Sequence, residues 1–258
     1  MKIAVIGGSG FYDFLSHSAK EIIQTPYGQV EPLVGVLGDQ QVVFIARHGA
    51  KHSIPPHMIN FKANIHALHQ LGVTRIFSTN AVGSCRPDYK PGDFVLLSSF
   101  LDLFFASSTT FFDGSATIVG KDGTPISGVV HTDMSEPYCP QLRTILLQES
   151  EALELTAHSE GVYAMMKGPR FESPAEIEAL KRLGADVVGM TNVPEVVLAR
   201  ELGMCYATVT VITNYAAGMQ ERITHEEVTE MFDRRINSLK TLLKRSIKNL
   251  PTAKQCPC

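Results

Sequence analysis

Short runs rich in Val, Ile, Phe and Thr alternate with helical periodicities along the whole chain, and no linker or low-complexity stretch interrupts them. Strand-like runs fall at 2–6, 33–37, 41–46, 74–79, 93–98, 161–167, 185–189 and 204–213. Between them, 57–71 sets Phe61, Ile65 and Leu68 on one stripe and stops at Gly72. At 173–183, Ser173, Pro174 and Glu176 form a capping box with proline at the first helical position, and Gly184 closes the helix. Asn192-Val193-Pro194-Glu195 opens another helix that closes at Gly203. The last begins at Thr224-His225-Glu226-Glu227 and carries Val228, Met231, Phe232, Ile236, Leu239, Leu243 and Ile247 along one face. Elements interleaved in this way predict an α/β fold with a largely buried sheet. One domain is expected over 1–250, with 251–258 as a frayed tail.

Composition narrows the function. Twenty-three basic against 26 acidic residues give a net charge of −3, which lacks the concentration of Lys and Arg that nucleic-acid binding needs. No apolar run approaches the ~20 residues of a membrane span. The N-terminal apolar stretch breaks at Gly7-Gly8, short of a signal peptide, so a soluble, cytoplasmic protein is expected. The five cysteines (85, 139, 205, 256 and 258) are odd in number and irregularly spaced. They read as reduced thiols with neither a disulfide framework nor a CxxC zinc pattern, and Cys256-Pro257-Cys258 reads as part of a solvated tail.

Several strand ends carry candidate chemistry. Gly7-Gly8-Ser9-Gly10 follows the first strand, but the third glycine of a dinucleotide fingerprint would be Asp13, and the acid expected further on is only Glu31 before Pro32. Its backbone amides and the Ser9 hydroxyl suit a phosphate, or a plain tight turn. Arg47-His48-Gly49 ends another strand, where the guanidinium fork can grip an oxyanion and His48 can add a donor. His48 with His52, or His66 with His69, lack a third ligand, so no metal is expected. Asn80-Ala81-Val82-Gly83-Ser84 offers small residues beside which a flat ligand can lie. Gly168-Pro169-Arg170-Phe171-Glu172, Gly189-Met190-Thr191 and Thr213-Asn214-Tyr215-Ala216 add aromatic and polar groups at further strand ends. No nucleophile elbow, Ser-His-Asp order or catalytic Cys motif is present, so the chemistry needs positioned hydrogen bonds and an external nucleophile.

Together with Thr25-Pro26-Tyr27-Gly28, Pro91-Gly92-Asp93 and Pro194-Glu195, these segments resemble the purine nucleoside phosphorylase and 5′-methylthioadenosine phosphorylase family, in the family's order over nearly the whole chain. The resemblance implies a single-domain nucleoside phosphorylase fold, its central mixed sheet partly closed into a barrel and flanked by helices. It also implies a homotrimer with active sites near subunit boundaries. It implies that Ser9, Arg47, His48, Asn80, Ala81 and Thr191 hold phosphate, a co-substrate, with no cofactor. Phe171 and Met190 would pack on base and sugar, and Glu172 and Asn214 would read the purine edge. His48, Glu172 and Asn214 are the implied catalytic groups. His131 would reach a neighbouring subunit's 5′ pocket, which His52 also lines. His225 aligns with a histidine that contacts the sugar 5′-hydroxyl, although a residue in the first turn of an amphipathic helix can equally face solvent.

Two departures refine this. The methylthioadenosine branch usually has Asp-x-Asp where this chain has Asn214-Tyr215-Ala216, and a small polar residue in place of Glu172. A 6-oxopurine offers an N1–H to Glu172 and an O6 to the Asn214 amide, whereas adenine turns a bare N1 lone pair toward the carboxylate. Unpaired buried polar groups of this kind discriminate by roughly 10⁴-fold. The chain therefore reads as a 6-oxopurine-type member, similar to methylthioinosine phosphorylases, with inosine, guanosine or 5′-methylthioinosine as expected substrates. The alternatives are a methylthioadenosine phosphorylase and, more remotely, a nucleoside hydrolase or a non-catalytic nucleoside-binding protein. The second departure, Asp102-Leu103-Phe104-Phe105, replaces a threonine common in relatives near Phe104.

Overall fold

The computed structural model describes residues 2–8, 10–11, 14–49, 53–103, 110–114, 116–120, 123–126 and 128–258. Ser9 and His52, and Phe104 and Phe105 of the second departure, lie outside the described residues. Strands form at every run that the sequence marks, and an eleven-stranded mixed sheet gathers them. At its centre Gln40–Ala46, Lys2–Gly7, Val73–Ser84 and Cys205–Tyr215 are neighbouring parallel strands, so their carboxyl ends share one edge. Leu33–Leu37 and Ser16–Lys20 extend one side in antiparallel fashion.

The other side curls. The stretch from Phe94 to Asp102 pairs first with Cys205–Tyr215, through Phe94–Leu96, and then with Val162–Met165, through Ser99–Asp102. Val162–Met165 pairs with Val187–Gly189, which returns to the far end of Val73–Ser84. That circuit is the partial barrel, and a twelve-residue strand such as Val73–Ser84 is long enough to serve both the open sheet and the barrel wall.

Helices cover both faces. Phe61–Gln70 (α1) starts where the Asn60 side chain accepts from Ala63 N at 3.0 Å, and it buries Ile65 and Leu68. Pro140–Ala152 (α2) is a helix that the sequence pattern leaves unmarked, because its N-cap is Cys139, whose side chain makes no capping bond. Pro174–Arg182 (α3) carries the expected reciprocal capping box of Ser173 and Glu176. Asn192–Glu201 (α4) is mostly buried. His225–Lys248 (α5), capped by Thr224, buries Ile236, Leu239, Leu242, Leu243 and Ile247 against α2 and the sheet. Each such side chain contributes about 1.5–3 kcal/mol on burial. The first half of its apolar stripe serves a second purpose: Val228 and Phe232 line a cavity, Phe232 while also packing against the core.

The C-terminal tail is docked, not frayed. Arg75, itself buried, donates to the carbonyls of Pro251 and Thr252, and Gln141 bonds both Ala253 and Gln255. Cys256 and Cys258 pack against the α2–α5 core. Orphaned carbonyls of an extended tail here find buried donors, which composition alone does not reveal.

Candidate active site

The shared carboxyl edge of the four parallel strands opens into a cavity of about 470 Å³. Ligand sites in such sheets lie outside the carboxyl ends of strands. Gly8, Arg47, His48, Asn80, Ala81, Gly83 and Asn214 bring the strand ends to its wall. Phe171, Glu172, Met190 and Thr191 come from the barrel side, and His225, Val228, Thr229 and Phe232 from α5. Segments separated by most of the chain thus converge on one crevice.

Arg47 departs from its expected role. Its guanidinium is buried and donates through Nε and Nη2 to the two oxygens of Glu195, at 2.5 and 2.9 Å. Nη2 also reaches Ser78 Oγ at 2.7 Å and Nη1 the Thr79 carbonyl at 2.9 Å. Four of its five N–H groups are therefore committed inside the protein, and the fork expected to grip phosphate grips a carboxylate. Burial pulls the Arg47 pKa down, but the adjacent Glu195 carboxylate reverses this and the net direction is up. Glu195 also accepts from Ser78 and from the Tyr206 hydroxyl. Glu195 is a buried acid on α4, between the buried Val193 and Val196 in sequence.

Beside this pair, Asn80 Nδ2 donates to Thr191 Oγ1 at 2.6 Å while its Oδ1 accepts from Asn192 at 3.0 Å. The Thr191 backbone amide donates to the Tyr163 hydroxyl at 3.1 Å. Gly189 makes that approach possible, since a Cβ there would overlap the Tyr163 phenol. The Thr191 hydroxyl therefore accepts from Asn80, keeping its own proton for the cavity. The His48 Nδ1 lies 2.8 Å from the Ile54 carbonyl, which only accepts, so Nδ1 carries the proton and the ring is oriented from behind. Tyr163, Tyr206 and Asn192 are support residues that sequence reasoning missed, because each is conventional in its own element.

At the wall that carries Asn214, the register of Cys205–Tyr215 slips between Ile212 and Asn214. A bulge of this kind turns a side chain out of the ladder's alternation. Thr213 Oγ1 donates to Asn214 Oδ1 at 2.8 Å, and Asn214 Nδ2 donates to the Tyr215 carbonyl at 2.9 Å. Glu172 is only 8% exposed; burial pushes its carboxyl pKa up, against a smaller lowering by its own backbone amide. Phe171 is half-exposed at the mouth near Met190. His225 is exposed on the rim.

Two expected residues do not reach the cavity. Ala216 is fully buried behind the wall, packed with Ile177 and Val188, so it cannot touch a ligand. His131 is exposed, outside the regular elements, and does not line the cavity of its own chain.

Residues 2–248 match the sequence profile of the phosphorylase superfamily. A probable 6-oxopurine nucleoside phosphorylase of Thermococcus kodakarensis is 50% identical over 260 residues, covering all of this chain and 96% of that one. The 6-oxopurine nucleoside phosphorylase of Pyrococcus furiosus is 48% identical over 259 residues, with the same coverage. Among solved structures, methylthioadenosine phosphorylase from Schistosoma mansoni in complex with tubercidin superposes with a TM-score of 0.88 at 33% identity, covering 98% of this chain and 93% of that one. With the strand-end cavity and these full-length similarities in agreement, the chain belongs to the phosphorylase superfamily.

Proposed function

We propose that this protein is a purine nucleoside phosphorylase, a pentosyltransferase that cleaves 6-oxopurine nucleosides (inosine, guanosine or 5′-methylthioinosine) with inorganic phosphate. The observation that carries the reading is the pairing of buried Glu172 with Asn214 on the wall of the strand-end cavity. An ionised Glu172 accepts the N1–H of a 6-oxopurine, and an Asn214 amide hydrogen serves O6 or N7 as negative charge grows on the departing base. Phosphate sits at the opposite wall, against His48, Asn80, the Ala81 backbone and the Thr191 hydroxyl, with the remaining Arg47 N–H behind them. From there it attacks the anomeric carbon as the glycosidic bond loosens. Holding the two reactants in line supplies much of the rate, and no cofactor enters.

We further propose a homotrimer in the cytoplasm, with His131 completing the 5′ end of a neighbouring site. Exposed Val129 beside it supports a covered surface there, and no helix among the described residues is long and apolar enough to cross a membrane. Initial rates with inosine, guanosine, methylthioinosine and methylthioadenosine, each with and without phosphate, test the reading. Phosphate-dependent release of hypoxanthine and guanine is expected. Faster turnover of methylthioadenosine than of any 6-oxopurine nucleoside would overturn the base assignment, and base release without phosphate would make the protein a hydrolase.

A further inference from the structure

Far from the cavity, the α2 N-terminus, the start of the long strand Cys205–Tyr215 and the docked tail bring together Cys139, Cys205, Cys256 and Cys258. One sulfur from each lies within 4.8 Å of all the others. Cys139 and Cys205 are fully buried, and Cys256 and Cys258 are half-buried. We propose that these four thiolates form a structural site for a thiophilic divalent cation, of which Zn²⁺ is the expected occupant.

The geometry favours a metal over two disulfides. A tetrahedral Zn²⁺ with bonds of about 2.3 Å sets its sulfurs about 3.8 Å apart. The Cys205 and Cys256 sulfurs are 3.3 Å apart, and all four sulfurs lie within 4.8 Å of one another. A disulfide needs each sulfur within about 2.05 Å of a single partner. Pro257 holds the two tail cysteines on a short chelating arm, which closes the fourth side of a pocket made by the other two.

Two features of the surroundings suit a tetrathiolate, whose net charge with a divalent ion is negative. Cys139 caps a thirteen-residue helix, whose positive end lies beside the cluster and offsets its negative charge. Arg200 on α4 has buried Nε and Nη1 atoms without a hydrogen-bond partner among the described residues, and its charge acts on Cys258. Metal binding would release the thiol protons to solvent. The site would tie the C-terminal tail to the foot of the strand whose other end carries Asn214.

The test is metal content of the full chain, purified with thiols kept reduced, supplied with Zn²⁺ and then dialysed. One Zn²⁺ per chain by elemental analysis and native mass spectrometry is expected, with none in Cys256→Ser/Cys258→Ser. Cys85→Ser, which alters the cysteine outside the cluster, should keep the metal. Co²⁺ in place of Zn²⁺ should give the visible absorption of a tetrahedral tetrathiolate, lost in the same double variant. Retained phosphorolysis by that variant would show that the fold persists while the metal is gone. A reduced wild-type chain that holds no Zn²⁺ overturns the proposal. So does protein grown with Zn²⁺ and isolated four hydrogens lighter, with disulfides among these four cysteines.

Discussion

At the sheet-edge wall of the cavity, Arg47, Asn80, Thr191 and Asn214 are each held by partners from other elements or neighbouring backbone. The α5 wall instead presents His225, Thr229 and Asp233 from a helix whose first turns are open to solvent. The first wall is organised before any ligand arrives, as electrostatic stabilisation of a transition state requires. The second has one internal tether, Thr229 to the His225 carbonyl at 2.9 Å, with Val228 and Phe232 beside it. A rigid wall selects by unpaired polar groups; an open, partly apolar one tolerates different sugar 5′ substituents. If the proposed function holds, this contrast predicts a site strict about the base and permissive about the 5′ end.

The largest effect is expected at the rigid wall. Arg47→Ala leaves Glu195 buried and uncompensated, which should cost about 3–5 kcal/mol of stability in chemical denaturation. Arg47→Met combined with Glu195→Leu should lose clearly less. Equal losses would mean that the pair is not the unit that matters.

Base selection comes next. Glu172→Gln keeps the shape and removes the charge, and should cut the inosine-over-methylthioadenosine ratio of kcat/KM by roughly 1.5–3 kcal/mol, the worth of a hydrogen bond to a charged group. An unchanged ratio would remove Glu172 from base recognition.

Acid should mimic part of that change. Burial raises the Glu172 pKa, so protons bind to it at a higher pH than to an ordinary glutamate. Once protonated it accepts N1–H without the help of its charge, and its new O–H can donate to the adenine N1. The inosine preference should therefore fall as pH drops from neutral, and a Glu172→Gln enzyme should lose this pH dependence. A preference that rises on acidification would contradict the assignment.

The smallest effect belongs to the open wall. His225→Val should reduce inosine kcat/KM by about 1 kcal/mol while sparing or improving methylthioinosine. Equal loss on both substrates would give His225 a structural role, and no loss would leave it in solvent.

The α/β class, the stripe of α1, the capped starts of α3 and α5, and the strand-end motifs were legible in the chain because each is encoded locally. Period, cap and turn residues act within a few positions of one another. Glu172 and Asn214, proposed to read the base, stood out in the chain for a related reason: that proposal rests on residue type, and the structure brings both to the cavity. Tertiary structure alone decided what Arg47 faces. An arginine at a strand end suits phosphate and carboxylate equally, and only the packing of α4 brings Glu195 to its fork. Likewise the stripe of α5 predicts an apolar face but not that its first turns border a cavity, and alternation near Ala216 does not show which side of the wall it takes. The tail is the clearest case. Cys-Pro-Cys carries no local signal of order, and its meaning arises when Arg75, Gln141, Cys139 and Cys205 meet it across the fold. Local patterns set each element because their interactions are short in sequence. The partners of buried charges, amides and thiols were set by contacts between residues far apart in the chain, which no window of sequence contains.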